Sequence, residues 1–298
     1  MSKSARFFLI FSMVLGIIAS YFFYVSVNTQ LISPLAANDT KNLYPLNFNR
    51  KSTITPEPPQ QFIQEKAIGL EKFESDLKSI VDKNNTIDIS VVFKDLQNDQ
   101  SIEINSRKIY HAASTTKLIT AVKLLSEIEN GRFNLSDKLG NYTILYQLEQ
   151  LINQSNNVSW DLFNNLLGLK NQQDFVQEFG ITNYNSNRNE IAPQDTALLL
   201  ELLLKGKIIG SSSVRMLLSY MQNTDVESFI PAAVPGKFTV YHKYGLYEDN
   251  VHDAAVINKG QDTYIWVIYT NGRGYQYYDT RVKIIHQLTE IFVNYLES

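Results

Sequence analysis

Strand-like sequence occurs at two widely separated places in this chain, and helical pattern fills everything between them. Ile87–Leu96 is rich in Ile and Val, and Asn98-Asp99-Gln100 supplies turn residues. Ser101–Asn105 then alternates as a returning strand. Strand character returns only at Phe238–His242, Val251–Asn258 and Thr263–Thr270, with Asn258-Lys259-Gly260-Gln261-Asp262 as a hairpin loop. Apolar residues recur at helical spacing over Phe62–Val81, Leu145–Ile152, Trp160–Leu167, Asp174–Phe179, Thr196–Leu204, Ser211–Met221 and Tyr278–Leu296. The order helix, two strands, many helices, three strands, helix predicts an α+β fold. An antiparallel sheet is built from both chain ends and flanked by helices, with one helical lobe inserted between its halves.

The 298 residues carry a 44% apolar fraction, enough for a real core, and a net charge of -3. Lys and Arg are scattered rather than clustered, which argues against a nucleic-acid partner. Cys is absent, which excludes disulfides, thiolate metal sites and a cysteine nucleophile. The four histidines, His111, His242, His252 and His286, show no ligand spacing, so neither a metal nor another cofactor is expected.

Lys3 and Arg6 precede an apolar run, Phe7–Val27, of the length that crosses a bilayer. No small-x-small cleavage site follows clearly, and Tyr21–Tyr24 would suit an interfacial belt. Residues 7–27 therefore read as a signal anchor, with residues 1–6 cytoplasmic and the rest extracytoplasmic, at a cell surface or in a periplasm. A long cleaved signal peptide is the competing reading. Residues 28–61, with Pro34, Pro45, Pro56, Pro58 and Pro59, read as a linker to a folded domain at 62–298.

Within that domain, Ser114-Thr115-Thr116-Lys117 opens an apolar helix carrying Leu118, Ala121, Val122, Leu124, Leu125 and Ile128, which Asn130-Gly131 ends. A serine and a lysine three positions apart share one helical face. A half-buried lysine there can lose its proton and serve as a base, while the helix dipole favours developing negative charge. Ser155-Asn156-Asn157 follows in a polar break between helices, where a hydroxyl could relay a proton and an amide could hold a carbonyl. Lys243-Tyr244-Gly245 comes third. Its lysine, ending a strand, could attract a substrate carboxylate, and its glycine permits close backbone approach. Each pattern is weak alone: Ser75–Lys78, Ser26–Asn28 and Lys138–Gly140 match the same three templates. Helix capping by Ser114, loop capping by Ser155 and Asn157, and an edge-strand role for Lys243 are the ordinary readings. Order and local context favour function.

These motifs, in this order, resemble those of the penicillin-recognising serine hydrolases, and class A β-lactamases above all. His111-Ala112-Ala113-Ser114, Gly180-Ile181-Thr182, Ala192-Pro193-Gln194-Asp195-Thr196-Ala197, Val251-His252-Asp253-Ala254-Ala255 and Tyr269-Thr270-Asn271-Gly272 also resemble stretches of that family. The resemblance covers residue 62 to the end. It implies that Ser114 is acylated, Lys117 accepts its proton and Ser155 relays a proton. It also implies that Asn157, Lys243, Tyr244 and Gly245 bind substrate, and that the backbone N–H groups of Ser114 and Leu246 form an oxyanion hole. The implied partners are β-lactams or peptidoglycan stem peptides; the membrane is engaged through the N-terminal helix read from the apolar run Phe7–Val27, not from the resemblance.

Three departures stand out. Tyr244 occupies a position where the family has Thr or Ser. The interval from Lys117 to Ser155 is short. No E-x-x-L-N segment supplies the glutamate that activates a deacylating water; Glu190 is the nearest acidic residue, and it reads as a surface loop glutamate. The function expected is a membrane-anchored extracytoplasmic serine hydrolase of the class A β-lactamase or D-alanyl-peptidase type, acylated at Ser114 and acting on β-lactams or peptidoglycan peptides; without that glutamate, slower acyl transfer remains chemically sensible. The alternative is a catalytically impaired domain that binds cell-wall peptide or a partner.

Overall fold

The computed structural model describes residues 60–272 and 278–298. The proposed anchor at 7–27 lies outside them, as do residues 1–6 and nearly all of the proposed linker. Among the described residues, no helix is long and apolar enough to cross a membrane.

Helix α1 (Gln60–Lys83) leads into β1 (Asp88–Asp95) and β2 (Gln100–Ile104). The chain closes with β7 (Thr239–Tyr247), β8 (Asn250–Lys259), β9 (Asp262–Asn271) and α8 (Tyr278–Glu297). These five strands form one antiparallel sheet in the order β2-β1-β9-β8-β7, so the first and last parts of the domain meet at the β1–β9 seam. Opposite partners include Val92 with Val267 and Ala255 with Trp266. Two residues, Gly260 and Gln261, connect β8 to β9, and Gly260 takes φ +62°. Tight hairpins need such left-handed backbone to match the twist of their strands.

The strands do not alternate cleanly between buried and exposed, because both faces of the sheet are covered. Nine consecutive residues of β8 are buried. On one face, α1 and α8 pack through Phe73, Leu77, Leu288 and Phe292 against Val91, Phe93, Trp266 and Ile268. Trp266 stacks on Phe292 with 4.9 Å between ring centroids and donates to Thr289 Oγ1 at 3.1 Å. Burying one such side chain contributes about 1.5–3 kcal/mol.

The other face carries α6 (Pro193–Leu204) and the helical lobe. The lobe is built from α2 (Lys117–Glu129), α3 (Ile144–Ile152), α4 (Asn157–Leu167), α5 (Leu169–Gln177) and α7 (Ser211–Tyr220). Helix α2 is buried nearly all round, which marks it as the centre of the lobe. Four two-residue strands complete the domain: β3 (Tyr110–His111) pairs with β6 (Glu190–Ile191), and β4 (Lys138–Leu139) with β5 (Tyr142–Thr143).

Two sequence expectations shift, with consequences for the site. Helix α2 begins at Lys117 rather than Ser114, because Ala113 takes φ +51° and the next residues form a tight turn. Strand β7 runs on to Tyr247, so Lys243 lies mid-strand rather than at a strand end. Its polar Lys-Tyr-Gly run hides the continuation, yet Gly245 pairs with His252 in the ladder.

Candidate active site

Ser114 sits on a turn held from several sides. Thr115 N–H and Oγ1–H both donate to Ala112 O, at 3.1 and 2.8 Å, and Lys117 N–H donates back to Ser114 O at 3.3 Å. Ala113 N–H donates to His111 Nδ1 at 3.2 Å. From Ala112 to Thr120, Ser114 is the one residue not fully buried. The turn therefore presents a single hydroxyl at the N-terminal end of α2, where the helix dipole favours negative charge.

Lys117 is fully buried one turn later. Its ammonium donates to Ser155 O, to Ser155 Oγ at 3.3 Å and to Asn157 Oδ1 at 2.8 Å. It also lies 5.1 Å from the Trp160 ring centroid. Burial lowers its pKa to about 7 against the opposing pull of Asp161, so a large share is free amine at neutral pH.

The α3–α4 loop brings the second group. Ser155 has φ +52°, and Asn156 caps α4 by accepting from Ser159 N–H at 3.0 Å. Asn157 is thus the first residue of α4 rather than a loop residue. Asn153 moors the loop by donating to Tyr220 O and Gln222 O at 3.2 and 2.9 Å.

Strand β7 brings the third. Lys243 is fully buried and donates to Ser155 Oγ at 2.9 Å and to Tyr244 O at 3.0 Å. Ser155 Oγ therefore sits between two lysines. Burial, then the neighbouring Lys117, hold the Lys243 pKa well below the usual lysine range, against the pull of Asp253 and Asp225. A Cβ on Gly245 would lie 3.0 Å from Ala112 O and 3.1 Å from both Ala113 Cβ and Thr115 Cγ2, so β7 packs directly on the Ser114 turn. Leu246, next on the strand, is half-buried beside it. Tyr244 is buried, with its ring edge-on to Phe229 at 6.3 Å.

Several residues that support the site lie outside the three motifs. Asn189 O accepts from Ala112 N–H at 2.7 Å. The Asn189 side chain donates to Ala113 O at 2.7 Å and accepts from Thr116 Oγ1 at 2.5 Å. His252 donates from Nε2 to His111 O at 2.9 Å and accepts at Nδ1 from Thr270 N–H at 3.1 Å, which fixes its tautomer. Burial lowers its pKa to about 3, so it is neutral. Behind Lys243, His242 Nδ1 lies 2.9 Å from Asp253 Oδ1, while Nε2 lies 3.0 Å from Thr224 Oγ1 and 3.2 Å from Glu227 Oε1. Nothing in linear spacing joins Asn189 to Ala113; His242 is adjacent to Lys243, and His252 and Asp253 lie in the family-like stretch Val251–Ala255. Glu190 pairs with Arg188 at 3.0 Å and is half-buried in β6 opposite His111, so it is a strand residue beside the Ser114 turn rather than the surface loop glutamate expected.

Residues 72–296 match the model of the beta-lactamase enzyme family. The chain belongs to that family. Its membership accounts for the fold and for the serine hydrolase class. Among solved structures, a point mutant of PBP-A, described as an acyl-enzyme complex with penicillin G, aligns with a TM-score of 0.70 at 22% identity, over 76% of this chain and 97% of that one. A beta-lactamase from Burkholderia vietnamiensis aligns at 0.71 and 18%, over 76% and 97%. One from Desulfarculus baarsii aligns at 0.69 and 16%, over 76% and 98%. A search of curated proteins returned no match.

Proposed function

We propose that this β-lactamase-family protein is a slow acyl-transfer enzyme in which Ser114 attacks the carbonyl of a β-lactam or a peptidoglycan stem peptide. The observation that carries this reading is the buried Lys117 ammonium, with a pKa of about 7 and hydrogen bonds to Ser155 and Asn157. In the proposed step Ser114 Oγ bonds to the carbonyl carbon and its proton passes to Lys117. The proton then reaches the leaving nitrogen through Ser155 as the C–N bond breaks. The backbone N–H groups of Ser114 and Leu246 would hold the oxyanion, a contribution of about 3 kcal/mol per donor in comparable sites. Asn157 would hold a substrate amide, while Lys243 would orient Ser155.

Slow release of the acyl group follows from the surroundings of Lys117. The hydrogen bonds given above for Lys117 go to a carbonyl, a hydroxyl and an amide, and Glu190 is held by Arg188. Among the described residues none of these Lys117 partners is a carboxylate that could serve as base for a water on the ester, which supports slow release. We further propose that Phe7–Val27 anchors the domain outside the cytoplasm, on the strength of its length and the basic residues before it.

Intact-mass spectrometry of the full chain with benzylpenicillin tests the reading. A long-lived adduct in wild type, absent from Ser114→Ala and strongly slowed in Lys117→Ala, is expected. No adduct after long exposure would overturn it in favour of a domain that binds wall peptide without chemistry.

A further inference from the structure

An ammonium has three N–H donors, and those of Lys243 are largely committed. One goes to Ser155 Oγ at 2.9 Å and one to Tyr244 O at 3.0 Å, while the Tyr244 ring centroid lies only 3.9 Å from Nζ. The ammonium is fully buried. An aromatic face at that distance covers Nζ and excludes a ligand from that side. The Tyr244 ring thus covers the Lys243 Nζ that donates to Ser155 Oγ on the α3–α4 loop.

A carboxylate already stands nearby. Asp225 is exposed, and its N–H donates to Asn153 O at 3.4 Å, which sets it against the Ser155 loop. The Gln154 side-chain amide, oriented to suit its neighbours, donates to Asp225 Oδ1 at 2.6 Å. The Asp225 charge bears on both Lys243 and Tyr244.

We propose that the site selects acyl donors with no free carboxylate beside the leaving nitrogen, because Tyr244 and Asp225 occupy the approach to Lys243 that such a carboxylate would use. Among the acyl donors proposed above, neutral forms such as an ester or amide of the same skeleton are preferred. This rests on the acylation of Ser114 proposed above. The preference arises by exclusion: an incoming anion meets an aromatic wall and a like charge, and two of the three Lys243 donors are already engaged.

Benzylpenicillin and its methyl ester differ only at this carboxylate. Acylation rates of the full chain with each, divided by the probe's own rate of reaction with hydroxide, give the preference. In wild type the ester should acylate Ser114 about tenfold faster. Tyr244→Thr removes the ring but keeps a strand-forming residue, and it should shift the ratio toward the free acid by about tenfold. Asp225→Asn, at an exposed position that leaves folding intact, should shift it about threefold the same way. Equal normalised rates in wild type, or a ratio unmoved in both variants, overturn the proposal while leaving acylation standing. If neither probe labels Ser114, the acylation reading falls and takes this inference with it.

Discussion

The Asn189 side chain donates to the carbonyl of Ala113 at 2.7 Å, and both residues hold left-handed backbone, with φ of +50° and +51°. Left-handed backbone is disfavoured for alanine, so the turn that lifts Ser114 needs outside bonds to persist. Asn189→Ala should lower stability by about 1–3 kcal/mol through the lost bonds to Ala113 and Thr116. It should slow Ser114 acylation more than that loss alone implies, by about 10–100-fold. Urea denaturation and stopped-flow acylation of the same preparation separate the two effects. Unchanged acylation would mean that the turn stands without Asn189.

Gly245 tests the contact from the opposite side. A methyl group there meets Ala112 O, Ala113 Cβ and Thr115 Cγ2, all of them in the tightly held turn. Gly245→Ala should cost about 1–3 kcal/mol of overpacking and move β7 away from Ser114. Thermal melting and adduct formation should fall together, whereas a normal adduct rate would show that the strand yields without disturbing the turn.

Lys117 should impose a pH dependence on acylation. Its pKa near 7 means that the free amine, the form able to accept a proton, grows through neutrality. The rate should climb about tenfold per unit below pH 7 and level off above it. Lys117→Met should abolish that limb and slow the reaction about 10²–10⁴-fold. A flat profile in wild type would remove Lys117 as the base.

His242 should act on stability in the opposite sense. Burial disfavours its charge, but Asp253, with help from Glu227, wins and raises its pKa to about 9. A raised pKa stabilises the fold fully below the unfolded value near 6.5, and the contribution fades as pH rises through about 9. Wild type should lose on the order of 2–3 kcal/mol from this pair between pH 6.5 and 9.5. His242→Gln should be less stable at pH 6.5 and lack that slope. Denaturant midpoints measured across this window decide the matter; parallel curves for the two proteins would mean that His242 is neutral in the fold.

The sheet and lobe are legible in the sequence because their signals are local. Val and Ile runs mark β1, β8 and β9, and helical spacing marks α1, α3, α7 and α8 to within a residue or two at most ends. The Ser114, Ser155 and Lys243 motifs are legible through their order. The start of α2 is not, because Ser-Thr-Thr is good capping sequence, and only the left-handed Ala113 shows that the chain turns first. The role of Tyr244 cannot be read either, since strand alternation alone would send its ring away from Lys243. Asn189 is out of reach for a different reason: it matters through partners that only the completed fold brings near.

The β1–β9 seam has a consequence for the order of events in making this protein. The serine and its neighbouring lysine emerge early, but the strand that packs against them arrives more than a hundred residues later in synthesis. Closure over so long a loop is slow, and its cost falls before any packing repays it. A chain interrupted before Gly245 would carry the nucleophile without the wall that defines its cleft. Reactivity toward an acyl donor should therefore appear only in the finished domain, a built-in delay that keeps a half-made chain inert.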